Sequence, residues 1–343
     1  MSTKNLHLFD TFEKDGKKFA RIPKHTINAG TSPKYSDLVV KDKSDFKAIV
    51  EKLELYGLCV VKHYLEPETC EHIKKELEPH YFRHQEWNGS PFPKETTVVT
   101  RAALASPTCM DKIALDDTFY KVSYHFMSES NVFWIGDGKL RRSETDVQLY
   151  SSIIYRVGAG AGDQMYHRED MALHNAHPRR EKYHYGDDVQ VGLAVALTPM
   201  NKTNGATRAI IGSHLWGPLD GPYEFDPQRE LYLELEEGDG TFMLGSTYHA
   251  ASSNHSDADR IGAFFFMSKT YLRQEENYHA DMEPAFFENM SFKALKILGL
   301  HTSLPFCGHI GYRSPAFVLN PKLKEASQAG KGNYTEVIYP VFE

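Results

Sequence analysis

Hydrophobic positions change period along the 343-residue chain, and the changes divide it into parts. Residues 1–43 mix Lys, Asp, Gly and Pro with no sustained period and read as an irregular arm over a domain. From Ser44 the spacing turns helical. Phe46, Ile49, Val50 and Leu53 recur at i, i+3, i+4 and i+7, with Ser44 or Asp45 as N-cap and Gly57 as the stop. LCVVKHYL (58–65) follows as a strand, and Pro67 opens a second helix on which Cys70, Ile73 and Leu77 share a face. KIALDDTFYKVSYHFM (112–127) is a third helical candidate, so 44–145 forms a helix-rich part.

Strict alternation then takes over. In VQVGLAVAL (189–197), Val189, Val191, Leu193, Val195 and Leu197 point one way while Gln190, Gly192, Ala194 and Ala196 point the other, the pattern of a half-buried strand. LYSSIIYRV (149–157), LYLELEE (231–237), TFML (241–244) and RIGAFFFMSKTYL (260–272) are further strands between Gly, Pro and Asn turns. Strands at this spacing without intervening amphipathic helices predict a β-sandwich or barrel over 146–275. MEPAFFENMSFKALKILGL (282–300) reads as helix, so 276–343 is expected to be a helical tail. The whole is expected to be one mainly β domain, 1–343, with flanking helices.

Composition narrows the function classes. With 41% hydrophobic and 25% charged residues the chain has the means to build a core, and a net charge of −7 without a basic run excludes a nucleic-acid or anionic-membrane partner. Cys59, Cys70, Cys109 and Cys307 are scattered with no CxxC, the usage of a reducing compartment, and no run is apolar enough for a membrane span. A cytoplasmic, soluble protein is expected.

The chemistry concentrates in QMYHREDMALHNAHPRR (164–180). On an extended segment His167 and Glu169 project to the same side, with Asp170 opposite. His249, after the strand TFML, is the best third ligand. Two histidines and one carboxylate on one face leave three positions open, the facial triad of non-haem Fe(II) oxygenases, although zinc hydrolases share those ligands. Arg260, eleven positions after His249, begins the next strand and is placed to clamp a carboxylate in two-pronged fashion. His174, His177 and His184 follow the first pair closely and read as loop histidines that bond substrate or backbone, not as a second metal site.

On LELYGLCVVKHYLEPETCEHIKKEL, QMYHRED, VGLAVALTPMNKTNGATRAIIGSHLWG, GDGTFMLGSTYHAASSN with Arg260, and YLRQEEN, the sequence resembles the phytanoyl-CoA dioxygenase family of Fe(II)/2-oxoglutarate oxygenases, from about Asp45 to Gly299. It is most similar to fungal members that tailor secondary metabolites. The resemblance implies a double-stranded β-helix, a distorted, cupin-like jelly roll with iron at one mouth. Fe(II), 2-oxoglutarate and O2 are the implied cofactor and cosubstrates. His167, Glu169 and His249 match the metal ligands, Arg260 the residue that holds the distal carboxylate, and Gln164 and Thr207 further cosubstrate contacts. Relatives usually read HRDD, so an Asp is expected where Glu169 stands, and Asp170 remains the alternative ligand. Retention of a carboxylate argues against halogenation.

The implied substrate is a small, largely apolar natural-product intermediate, with Tyr155, Met171, Leu173, His174 and Phe266 as candidate contacts. Hydroxylation, desaturation, epoxidation and oxidative cyclisation all stay open. An acyl-CoA hydroxylase is the runner-up, for which only Arg179, Arg180 and Lys182 offer a basic cluster. A metal-dependent hydrolase or isomerase on the same barrel is the rival from another class, and a catalytically silent binding protein is a further one that the intact triad disfavours. A homodimer is also implied.

Overall fold

The alternation in 189–197 decides what lies on each side of the main sheet. The computed structural model of the protein describes residues 10–21, 33–82, 93–223, 225–280, 282–323 and 336–341. Seven strands make the larger sheet: β1 (Val39–Val40), β2 (Leu58–Val61), β3 (Thr96–Val99), β4 (Val147–Val157), β5 (Gln190–Ala196), β8 (Gly240–Leu244) and β10 (Arg260–Lys269). Their spatial order is β1-β2-β8-β5-β10-β4-β3. A smaller sheet, β7-β6-β9, is built from β6 (Thr207–Ile210), β7 (Glu230–Tyr232) and β9 (His249–Ala251). Every pairing but β1 with β2 is antiparallel.

Val191, Leu193 and Val195 face outward, into one buried cluster with the helices α1 (Phe46–Tyr56), α2 (Pro67–Leu77) and α3 (Asp117–Met127). Gly192 and Ala194 face inward, where, with Leu233 and Leu235 from the opposite side, they line the cavity between the sheets. Large side chains on one face accommodate helices, and small ones on the other leave room for a site. The architecture is the expected double-stranded β-helix wrapped by helices. No helix of the described residues is long and apolar enough to cross a membrane.

Helix α1 ends where its sequence says it should. The Asp45 carboxylate accepts from Ala48 N–H at 3.0 Å, and Gly57 closes the helix in the left-handed region at φ 82°, its N–H donating to Leu53 O. A Cβ at Gly57 would lie 2.5 Å from Thr247 Oγ1 and 2.6 Å from His214 Nδ1. The glycine therefore serves twice: it turns the chain, and it lets α1 touch the turn that leads into β9.

The chain departs from the sequence reading at both ends. Asp10–Lys14 and Lys17–Arg21 pair as a hairpin within the segment read as an irregular arm. Asp15 and Gly16 both take positive φ, the two-residue turn that matches strand twist, and Phe12 stacks on Phe19. In the tail, the helix read over 282–300 is reduced to α4 (Phe292–Ile297), because Ser291 caps its start and Gly299, at φ 77°, ends it. A short α5 (Pro315–Leu319) follows, and Glu336–Ile338 joins an outlying ribbon with Ser130–Trp134 and Leu140–Glu144. The strand read over 231–237 shortens to Glu230–Tyr232, with Leu235 holding a single bridge to Met200.

His214, buried under α1, bonds Glu54 O through Nε2 at 3.0 Å, and burial pushes its imidazole down to about 4. Folding thus favours the neutral ring. The stability this confers is complete above the unfolded value near 6.5 and is lost as pH falls toward 4, amounting to about 3 kcal/mol. Thermal melts should show wild type more stable than His214→Gln at pH 7, with the gap narrowing or reversing by pH 4.5. A gap independent of pH would contradict a neutral buried His214.

Candidate metal centre

His167 and His249 are opposite members of an antiparallel bridge. His167 N–H donates to His249 O at 3.0 Å and His249 N–H donates to His167 O at 3.1 Å. Residues that exchange both bonds carry their side chains on the same face, and here the two ring centroids are 4.5 Å apart. Each ring is also anchored at its far nitrogen: His167 Nδ1 lies 2.9 Å from Met165 O, and His249 Nδ1 lies 3.1 Å from Thr247 O. A carbonyl accepts only, so each Nδ1 carries a proton, and the two Nε2 atoms are the nitrogens turned toward the third side chain.

Both Nε2 atoms meet one carboxylate oxygen. Glu169 Oε1 is 2.9 Å from His249 Nε2 and 3.4 Å from His167 Nε2, and the three ligand atoms lie within 4.8 Å of one another. Burial by itself raises the Glu169 carboxyl, but the hydrogen bonds from His167 and His249 outweigh it and hold the group well below the usual carboxylate range. Two imidazole nitrogens and a carboxylate oxygen, oriented from behind, fit a divalent transition metal.

Asp170 points elsewhere. Glu169 starts a tight turn through Leu173 that His174 ends in the left-handed region, and successive side chains diverge. The Asp170 carboxylate is buried, accepting from His177 Nε2 at 2.6 Å and Asn175 Nδ2 at 3.0 Å.

Other candidates distribute as follows. Thr207 and Phe266 line the inter-sheet cavity that His249 borders, and Tyr155 packs edge-on against Phe264 of the same cavity at 5.3 Å. Met171 and His174 are exposed on the turn after Glu169, with Leu173 half-buried. Gln164 holds strand register: its Oε1 accepts from Ala251 N–H at 3.0 Å, leaving its Nε2 as the donor still to be used. Arg260 is 2% exposed, and no carboxylate among the described residues lies within ion-pairing distance. Its Nη1 sits 3.8 Å from Met200 Sδ, its Nε has no partner among the described residues, and burial pushes the guanidinium down to about 10. Met200 was not singled out in the sequence, where only its place beside the NKTNG turn marks it, yet it joins Arg260 to the cavity.

Residues 53–262 match the family described as phytanoyl-CoA dioxygenase. The chain belongs to the phytanoyl-CoA dioxygenase family. It is 45% identical over 340 residues to Uncharacterized protein YJR154W of Saccharomyces cerevisiae, covering 98% of each. It is 30% identical to Dioxygenase cnsJ of Penicillium expansum, over 82% of this chain and 85% of that one. Among solved structures it is similar to the epimerase SnoN in complex with Fe3+, alpha ketoglutarate and nogalamycin RO, with a TM-score of 0.50 at 16% identity over 71% of this chain and 94% of the other, a likeness of fold.

If the convergence of this family member's three side chains is a metal site, His167→Ala, Glu169→Ala and His249→Ala should each weaken Co(II) binding on the order of 100-fold or more, measured by calorimetry. A Glu169→Ala protein that binds Co(II) as wild type does would remove Glu169 from the ligand set.

Proposed function

We propose that this chain is an Fe(II)- and 2-oxoglutarate-dependent oxygenase acting on a small natural-product-type molecule. His167, Glu169 and His249 hold the iron, and Arg260 holds the distal carboxylate of the cosubstrate. The observation that carries this reading is the Arg260 guanidinium: a buried cation with no anion costs several kcal/mol, and an incoming carboxylate offsets that cost. A hydrolase needs no such group.

When bound, iron and 2-oxoglutarate supply the oxidising power by coupling cosubstrate decarboxylation to the use of O2. The chain's own residues bind, orient and exclude water. Arg260 offers a planar fork to one carboxylate, Gln164 Nε2 offers a donor, Thr207 and Thr241 bring hydroxyls to the cavity, and Phe264, Phe266, Met200, Met243, Leu233 and Leu235 keep it apolar. Tyr155, Met171, Leu173, His174 and Phe266 are the proposed substrate contacts. Hydroxylation, desaturation, epoxidation and oxidative cyclisation all fit this machinery, because substrate pose selects among them.

A natural-product substrate is favoured over an acyl-CoA by the fate of the basic cluster. Arg180 is paired two-pronged with Asp187 at 2.6 and 2.9 Å, and Arg179 with Asp220 at 3.2 Å, so of the cluster only the exposed Lys182 carries no ion pair among the described residues, too little to hold CoA phosphates. A relative named as a fungal dioxygenase supports the same side. A cytoplasmic setting agrees with four unpaired cysteines, and a homodimer with the exposed Val132, Trp134 and Ile135 of the outlying ribbon.

Oxygen uptake should be matched one to one by succinate release. Arg260→Gln should raise the half-saturating 2-oxoglutarate concentration about tenfold or more while Co(II) affinity stays as in wild type. Turnover without succinate, or an unchanged 2-oxoglutarate requirement in Arg260→Gln, would contradict the proposal.

A further inference from the structure

Beside the metal cluster lies a buried polar group that the chemistry above does not use. Asp170 is 1% exposed, Asp188 1% and His177 5%. Asn175 Nδ2 ties Asp170 Oδ2 to the backbone at Asp187 O, at 3.0 and 2.8 Å, and His177 Nε2 reaches the same oxygen at 2.6 Å. Asp188 lies close enough to Asp170 for that charge, after burial itself, to push the Asp188 carboxyl up to about 6.

The group grips both ligand-bearing segments. Asp170 is the neighbour of Glu169, so fixing its side chain fixes the turn from which Glu169 projects. On the other side, Asp188 Oδ1 accepts from Ser246 N–H at 3.2 Å, next to Thr247, whose carbonyl orients the His249 ring. The two segments also touch directly: Asp170 N–H donates to Gly245 O at 3.4 Å, and a Cβ at Gly245 would stand 3.1 Å from Asp170 Cβ and 2.9 Å from Gln190 Cβ.

We infer that Asp170, His177 and Asp188 are positioning residues that set the separation of the Glu169 carboxylate from the His249 ring. The inference rests on the metal reading. It explains the use of a buried Asp immediately after the ligand, where a surface loop would need none, and it assigns Gly245 to close approach. Their grip is on the backbone that carries the ligands, and loss of outer groups that orient metal ligands weakens metal binding about 10- to 100-fold.

The test is Co(II) affinity by calorimetry on the full chain, together with metal-free melting temperature. Asp170→Asn and Gly245→Ala, one removing charge and the other adding bulk, should each weaken Co(II) binding at least about tenfold. His177→Gln, which keeps a donor for Asp170, should lie closer to wild type than His177→Leu. Glu76→Gln is the control, since Glu76 accepts from Ser106 and Thr108 behind α2, and it should lower the melting temperature with no change in affinity. Folded Asp170→Asn and Gly245→Ala proteins that bind Co(II) within about twofold of wild type would overturn the inference, as would an equal loss in Glu76→Gln. Failure of wild type to bind Co(II) at all would instead overturn the metal reading on which it rests.

Discussion

Two backbone hydrogen bonds between His167 and His249 are the constraint on which the site depends. They place residues 82 positions apart in sequence opposite one another, on the same face, with their ring centroids 4.5 Å apart. Because the bonds are main-chain, the geometry does not rely on flexible side chains meeting by chance. Much of the surrounding packing serves that bridge: Gln164 continues its register along Ala251, β6 pairs the other edge of β9, and Gly57 brings α1 against the turn before it.

The site stores opposite charges separately. Glu169 is held anionic by two imidazoles at the mouth, whereas Arg260 is buried at the start of β10 beside Met200 with no anion of its own. Desolvating either charge is costly, and only one of them is compensated within the described residues. That asymmetry is how a protein prepares for a ligand that brings a carboxylate, and it is purchased by the stability of the helix-backed sheet.

Local rules explain how much of this was readable in the chain. The alternation through β5 showed which side chains face the helices and which the cavity, and Asp45 with Gly57 marked both ends of α1, because each signal is complete within a few residues. The hairpin at Asp15-Gly16 had a turn signal that the polar, mostly exposed strands around it obscured. Ser291 and Gly299 cut short a helix whose apolar spacing continued past them. At the site, residue types and order pointed to His167, His249 and Arg260. The i, i+2 spacing also favoured Glu169 over Asp170, but what turns Asp170 away, a tight turn with His177 and Asn175 arriving from farther along, is set by packing. Burial of Arg260 with no carboxylate partner among the described residues is likewise a property of packing alone.

Anaerobic titration of the protein with Fe(II) in the presence of 2-oxoglutarate tests the central claim most directly. The bridge, the Glu169 carboxylate and Arg260 together require a visible metal-to-ligand charge-transfer band that saturates at one iron per chain and is lost in both His249→Ala and Arg260→Gln at limiting cosubstrate. Iron binding with no such band, or a band that survives unchanged in His249→Ala, would contradict it.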